Sequence, residues 1–498
     1  MEAAEPPPVG PHILAPSLRR HSMESGDRGP VAAGNPCRDG RALWRIAKHR
    51  VGLHSTIDEP GDVAGQVLSS PAGRGALNRH SIAGAFVNVL QDRVLGSGTV
   101  LQSTTFNRAE PPGIFAPKTD AKAIWAMLTA SYMNLMLFCI PLGIVSGYLG
   151  WNPTLVFVSN FFTLIPLALI LGEVTEDLAV RFGETIGGLL NATFGNVVEL
   201  ILSIAALQKG LYTVVATSLI GSILSNLLLV LGMCFLFGGM KHKQQRFNAL
   251  ANKVSSSLLF LACIAIIIPT AAKMFYGGEI ITEKTLFNLS HAIAILLIGL
   301  YCCYLFFQLR THVDYFTGEA NEDEPALSLA GALGLLGVIT VIVAIASEYL
   351  TGAIEAVSKS SGLNQAFLGL IVLPIAGNAC EHITAVFVAV KNKMDLAIGV
   401  ALGSSIQIAI FVIPVAVLAG WVMGKPFTLD FDSFAVLMLT VSVILAYFVS
   451  SDGSSNWLLG LQLVGTYCLI AFVFLLEKEA PEAAGKAAGA AAPALGGV

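Results

Sequence analysis

The sequence predicts an all-α polytopic membrane protein of about eleven transmembrane helices, built as two inverted five-helix repeats with one extra helix ahead of them. Three observations predict it. Of 498 residues, 54% are hydrophobic and only 12% charged, with a mean hydropathy of +0.71, a composition outside that of soluble domains. About eleven runs reach the roughly 20 apolar residues that a spanning helix needs. Two stretches 182 positions apart read Gly195-Asn196-Val197-Val198-Glu199 and Gly377-Asn378-Ala379-Cys380-Glu381, each inside such a run.

In chain order, residues 1–122 are rich in Gly, Pro, Ser and Arg without sustained periodicity, as expected of a mostly disordered cytosolic region. Residues 42–53 fit either a short basic amphipathic helix on an anionic membrane face or a solvated linker, and Arg19-Arg20-His21-Ser22 has the form of a basic-directed phosphorylation site. No cleavable signal is expected, because residues 1–16 are acidic and Pro-rich where one would be basic and then apolar. The extra helix falls at 124–149 within a segment 123–149. The first repeat, 150–310, holds the runs 153–179, 183–207, 212–238, 250–275 and 285–309. A linker over 311–326 carries Glu319, Glu322, Asp323 and Glu324, either solvated charge or a regulatory acidic loop that concentrates divalent cations at a cytosolic mouth. The second repeat, 327–477, holds 327–357, 365–390, 397–422, 431–450 and 457–476, and a low-complexity Ala/Gly tail fills 478–498.

Orientation follows from Lys and Arg in short loops. Lys241, Lys243, Arg246 and Lys253 in one loop and Lys391 and Lys393 in another fall on the side of the N-terminus, which places both in the cytosol; Lys209, Lys273, Lys284, Lys359 and Lys425 moderate the bias. An odd number of spans puts the C-terminal tail in the lumen. The first motif then lies in an outward-running helix and the second in an inward-running one, the layout of inverted-repeat transporters that bind their substrate near the midplane, often where helices break. Gly195 and Gly377 are suited to such breaks.

The duplication extends without a gap from 195–232 against 377–414, matching Ile201 with Ile383, Lys209 with Lys391, and Gly221-Ser222 with Gly403-Ser404. An intramembrane carboxylate is costly and calls for a partner or a cation. Asn and Glu three residues apart share a helix face, so Asn196 with Glu199 and Asn378 with Glu381 offer hard oxygen ligands suited to Ca2+ or Mn2+. The lack of thiolate or imidazole clusters argues against Zn2+ or Cu+. Two carboxylates in a low-dielectric site repel one another, so the empty site should hold protons, and proton and cation then compete for the same oxygens. His382 is either a proton partner or a packed histidine.

Further polar residues are candidates for lining the path. Glu173 heads an acidic stripe with Glu176 and Asp177 in the second span, and Glu348 sits in the seventh; these draw cations or are solvated helix-end charges. Ser222, Ser225 and Asn226 in the fourth span match Ser404, Gln407 and Ile408 in the ninth, as site lining or as hydrogen-bond glue between helices. Seven of the eight cysteines lie in apolar runs without metal-ligand spacing and read as packing residues. The net charge of −4 leaves no footprint for nucleic acid.

The segments GNVVELILSI and GNACEHITAV, followed by GSILSNLLLVLG and GSSIQIAIFVIP, resemble the cation/proton exchangers of plant, fungal and algal vacuoles, members of the calcium/cation antiporter superfamily. The resemblance spans roughly 123–477. It implies that Glu199 and Glu381 bind the cation and exchange it for protons, that Asn196 and Asn378 stand beside them, and that Glu173, Glu348 and Gln407 help form a hydrophilic path. Sodium/calcium exchangers of the superfamily carry Ser-Pro-Glu in the repeat, and neither motif here does, which favours proton coupling. The N-terminal region is far longer than the regulatory tail of plant members and has no recognisable inhibitory segment. The acidic loop is short.

These readings combine into a secondary antiporter, not an enzyme, in the membrane of an acidic endomembrane compartment, expected to be the vacuole, exchanging cytosolic Ca2+ for luminal H+ with no cofactor. ATP-driven pumping is excluded by the absence of a P-loop and of an Asp-Lys-Thr-Gly segment. Exchange of Mn2+, Na+ or K+ against protons, or of Na+ against Ca2+, and a cation channel are the alternatives. Homodimerisation and partners of the N-terminal region stay open.

Overall fold

The structure is a computed structural model that describes residues 113–313 and 324–477. Residues 1–112, Glu319, Glu322 and Asp323, and the tail from residue 478 lie outside the described residues, while 117–122 of the expected N-terminal region are helical. All described residues belong to one compact unit, helical except for a two-residue antiparallel pairing of β1 (Gln245–Arg246) with β2 (Ser454–Ser455). In lipid only closed hydrogen-bonding patterns cross the bilayer, and a helix meets that need within one segment.

Helix α1 (Pro117–Ala130) is followed by a 3-10 segment, Tyr132–Phe138, that runs into α2 (Cys139–Tyr148). The two parts meet at 101°, so the expected straight helix over 124–149 does not form. Ser131 is extended and its hydroxyl accepts the Met133 amide at 3.2 Å, starting a new helical segment there. Helix α3 (Pro153–Phe194) begins at an Asn152 cap, and only its part Pro153–Phe182 is apolar enough to span. A Cβ on Gly187 would lie 2.3 Å from the Ala179 carbonyl oxygen, whereas eight residues of straight helix rise about 12 Å. The chain therefore folds back between 179 and 187, and the close approach requires the glycine.

Next come α4 (Val197–Gln208), α5 (Tyr212–Lys241), α6 (Ala249–Ile280) and α7 (Glu283–Thr311). The second half contains α8 (Leu329–Ser361), α9 (Gln365–Gly377), α10 (Ala379–Val390), α11 (Met394–Val422), α12 (Ser433–Ser450) and α13 (Trp457–Leu476). Among the described residues eight helices are long and apolar enough to span, or ten if α1–α2 and α9–α10 each count as one bent span. The expected eleventh, at 183–207, is divided between the end of α3 and the short α4. Side-chain caps set many helix starts: Asn248 accepts the Leu250 and Ala251 amides, Asp432 the Ala435 amide, and Asn456 the Leu458 and Leu459 amides.

Two apolar cores form, one where α3 packs along α8 and one around α5, α11 and α13. Helices approach closely at small residues: Gly221 of α5 lies on the backbone of Leu370 in α9. The two Lys-rich loops expected on one side do meet, since Gln245 donates to the Ala389 carbonyl at 2.8 Å and to Asn392 at 3.0 Å. Lys391 there is held below its ordinary pKa by partial burial and by Lys393 and Lys241.

The start of α8 is strapped to two other elements. Asp177 of α3 accepts the amides of Ala326 at 2.5 Å and Leu327 at 3.3 Å, and Arg181 donates to the Leu327 carbonyl. Asp120 of α1 accepts the Ser328 amide at 2.7 Å and its hydroxyl at 2.6 Å while buried itself. Removing the carboxylate leaves two buried donors unsatisfied. Asp120→Ala is expected to cost about 2 kcal/mol, read as a lower thermal midpoint of the detergent-solubilised protein; an unchanged midpoint would show that the strap contributes nothing.

Candidate functional site

Each motif sits at a helix break, and the residue that leaves helical geometry is the Asn. Asn196 (φ −112°, ψ 21°) separates α3 from α4, and Asn378 (φ −87°, ψ 17°) separates α9 from α10, which bend by 59°. Gly195 and Gly377 each close the preceding helical turn with a negative φ, so neither is needed for left-handed backbone. The demand at Gly377 is space: a Cβ there would lie 2.8 Å from Glu199 Oε1. The first motif carboxylate thus lies directly against the backbone of the second motif.

The two Asn side chains reach across to the opposite half in matching ways. Ser404 Oγ donates to Asn196 Oδ1 at 3.1 Å, and Asn378 Nδ2 donates to the Ser222 carbonyl at 3.1 Å. Shifting one pair by 182 positions gives the other. Asn196 Nδ2 also donates to Gln407 Oε1 at 2.5 Å, and Asn226 Nδ2 to Ser404 Oγ at 2.9 Å. His382 Nδ1 donates to the Asn378 carbonyl at 2.5 Å, which leaves its Nε2 to accept from Ser225 Oγ at 3.2 Å. The helices bearing these partners carry π-helical turns at Ser225–Val230 and Ile408–Val412, 182 positions apart at their ends, a distortion that recurs at functional sites.

Within this frame several buried oxygens have no partner: both of Glu199, Oε2 of Glu381, and Oδ1 of Asn226 and Asn378. Buried polar atoms are almost always hydrogen-bonded, and a bare carboxylate in such a place is costlier still. Such oxygens call for a donor that the side chains around them do not supply: a proton, a cation or a water. A narrow cleft beside Glu199 is lined by Ser203, Ser218, Ser222, Pro374 and Gly377 among others. Among the described residues no group of three or more His, Cys, Asp or Glu gathers as a metal centre. A cation here would share two carboxylates and otherwise neutral oxygens, the set that suits a hard ion.

Other candidates are less closely drawn in. Glu173 is half-buried next to Gly172, which abuts Cys380 Sγ at the start of α10. Glu348 is exposed on α8 and its side chain makes no hydrogen bond or ion pair among the described residues, while Glu355 pairs with Lys359 at 2.6 Å. Asp177 belongs to the α8 strap. Glu324 is exposed ahead of α8. Ser203 and Ser218 escaped the sequence reading, although each lies four residues along its helix from Glu199 or Ser222, the spacing of one helix face.

Comparison with known proteins agrees with this architecture. The family described as sodium/calcium exchanger protein matches residues 152–310 and 331–476. A Ca(2+)/H(+) antiporter of Aphanothece halophytica is 45% identical over 368 residues, covering 70% of this chain and 98% of that protein. A vacuolar calcium ion transporter of Schizosaccharomyces pombe is 40% identical, covering 70% and 86%. Among solved structures, native YfkE is 36% identical with a TM-score of 0.61, covering 69% of this chain and all of that one. The H+/Ca2+ exchanger CAX, 12% identical with a TM-score of 0.55, covers 72% and 93% and shares the fold. The chain belongs to the sodium/calcium exchanger protein family, among the vacuolar-type cation/proton exchangers of the calcium/cation antiporter superfamily.

Proposed function

We propose that this protein is a secondary antiporter that moves Ca2+ out of the cytosol in exchange for luminal protons, with Glu199 and Glu381 as the groups that hold either the cation or protons. The observation that carries the reading is the set of unpartnered buried oxygens on Glu199, Glu381, Asn226 and Asn378 at two helix breaks. The names of the relatives, a Ca(2+)/H(+) antiporter and a vacuolar calcium ion transporter, supply the ion pair and the compartment. Ser222, Ser404 and Gln407 hold the Asn side chains, and His382 with Ser225 braces the second break. Glu173, Glu348 and the acidic linker serve the approach of the cation.

Two carboxylates that give up two protons to take one divalent cation keep the charge of the site constant. Each pH unit is worth about 1.4 kcal/mol per proton, so two protons across two units supply about 5.5 kcal/mol, a ratio on the order of 10⁴. Alternation would arise from two inverted five-helix units rocking around the fixed Glu pair, with the N-terminus cytosolic and the C-terminus luminal. Mn2+ fits the same oxygens and is the second substrate to test.

Purified protein in ATP-free, Na+-free liposomes with an acid interior should accumulate Ca2+ and release internal protons, and dissipating the gradient should stop both. Uptake that ignores the gradient, or that requires Na+, would remove proton coupling. Current without proton movement would indicate a channel.

A further inference from the structure

Helix α4, which carries Glu199, has 12 residues and rises about 18 Å, well short of a hydrocarbon core of roughly 30 Å. Away from Glu199, Ile204 of α4 forms an open groove of about 360 Å³ with Val415, Leu418, Ala419, Val422 and Met423 of α11, a volume typical of small-molecule sites. The residues from α11 follow the spacing of a single helix face, and the lining contains no charged or hydrogen-bonding side chain.

The mouth of the groove has different chemistry. Val422, at that end of α11, is 88% exposed. Lys425 donates to the Gln208 carbonyl at 3.0 Å, one helical turn beyond Ile204. An ammonium has three donors, so Lys425 keeps two for another acceptor. An apolar slot ending in a lysine is the pattern of a membrane–water interface, where the stem lies on apolar surface and the ammonium reaches the headgroups.

We propose that a membrane phospholipid occupies this groove, with one acyl chain against Ile204, Val415 and Ala419 and its phosphate on Lys425, packed on the outer side of the helix that carries Glu199. The charge at the mouth and the apolar lining together select a phospholipid over a free phosphate or a neutral hydrocarbon.

Native mass spectrometry of the full chain in micelles doped with phosphatidylglycerol tests this without reference to transport, so its failure would leave the exchange reading untouched. Wild type is expected to retain one phospholipid per chain. Ala419→Phe should reduce occupancy at least tenfold, and the milder Ala419→Leu should reduce it in part and serves if the Phe variant does not fold. Lys425→Gln should weaken retention about fivefold, in line with roughly 1 kcal/mol per lysine near an anionic lipid surface. Equal retention by wild type and both Ala419 variants would overturn the site. So would Lys425→Gln retention equal to wild type combined with equal retention of a fatty alcohol lacking phosphate.

Discussion

Replacing either Glu199 or Glu381 with Gln is expected to abolish proton-driven Ca2+ uptake while leaving the protein folded. The substitution keeps size and shape but removes the exchangeable proton and one negative charge. Losing a residue that only supports a metal ligand typically costs 10–100-fold, so loss of a ligand itself should exceed about 100-fold in uptake rate at fixed Ca2+. Both oxygens of Glu199 and one of Glu381 lack partners, so neither substitution breaks a described side-chain hydrogen bond of those oxygens, and thermal stability in detergent should hold or rise. Uptake by proteoliposomes at several internal pH values, alongside thermal unfolding, separates the two quantities. Normal transport by either variant, or loss of transport only through loss of fold, would remove these carboxylates from the mechanism.

Two glycine substitutions should give opposite outcomes. On Gly377 an added methyl lies 2.8 Å from Glu199 Oε1, the far end of a flexible side chain. The carboxylate can move aside, so Gly377→Ala should fold and yet bind Ca2+ more weakly, on the order of tenfold, which is about 1.4 kcal/mol. On Gly221 the methyl would lie 2.1 Å from the carbonyl oxygen of Leu370 and 2.7 Å from its carbon, and backbone cannot step aside. Gly221→Ala should therefore lower the thermal midpoint by an overpacking cost of about 1–3 kcal/mol. If Gly377→Ala leaves apparent Ca2+ affinity unchanged, Glu199 does not need its observed position. An unchanged midpoint for Gly221→Ala would mean that α5 and α9 are not packed this closely.

Much of the molecule was legible in its sequence, because a bilayer simplifies the code. Backbone groups in hydrocarbon must be satisfied within a segment, so the length of an apolar run nearly specifies a helix, as it does for α5 through α8 and α11 through α13. The same economy makes a charged residue conspicuous, and the repeated Gly-Asn-x-x-Glu singles out Glu199 and Glu381. Ser203 was within reach too, by its position one turn from Glu199.

What tertiary structure alone decided concerns residues far apart in the chain. The bend at Ser131 and the break at Asn196 divide the runs 124–149 and 183–207, which looked continuous, since hydropathy has no term for direction. The breaks fall on Asn196 and Asn378 because each side chain is held by the opposite half, through Ser404 and Gln407 or through the Ser222 carbonyl. Asp177, read as a stripe of charge, instead accepts the amides of 326 and 327, about 150 positions away. Local pattern sets which residues are polar and which helix face they occupy; the packing of distant helices chooses their partners, and so decides which oxygens are left without one.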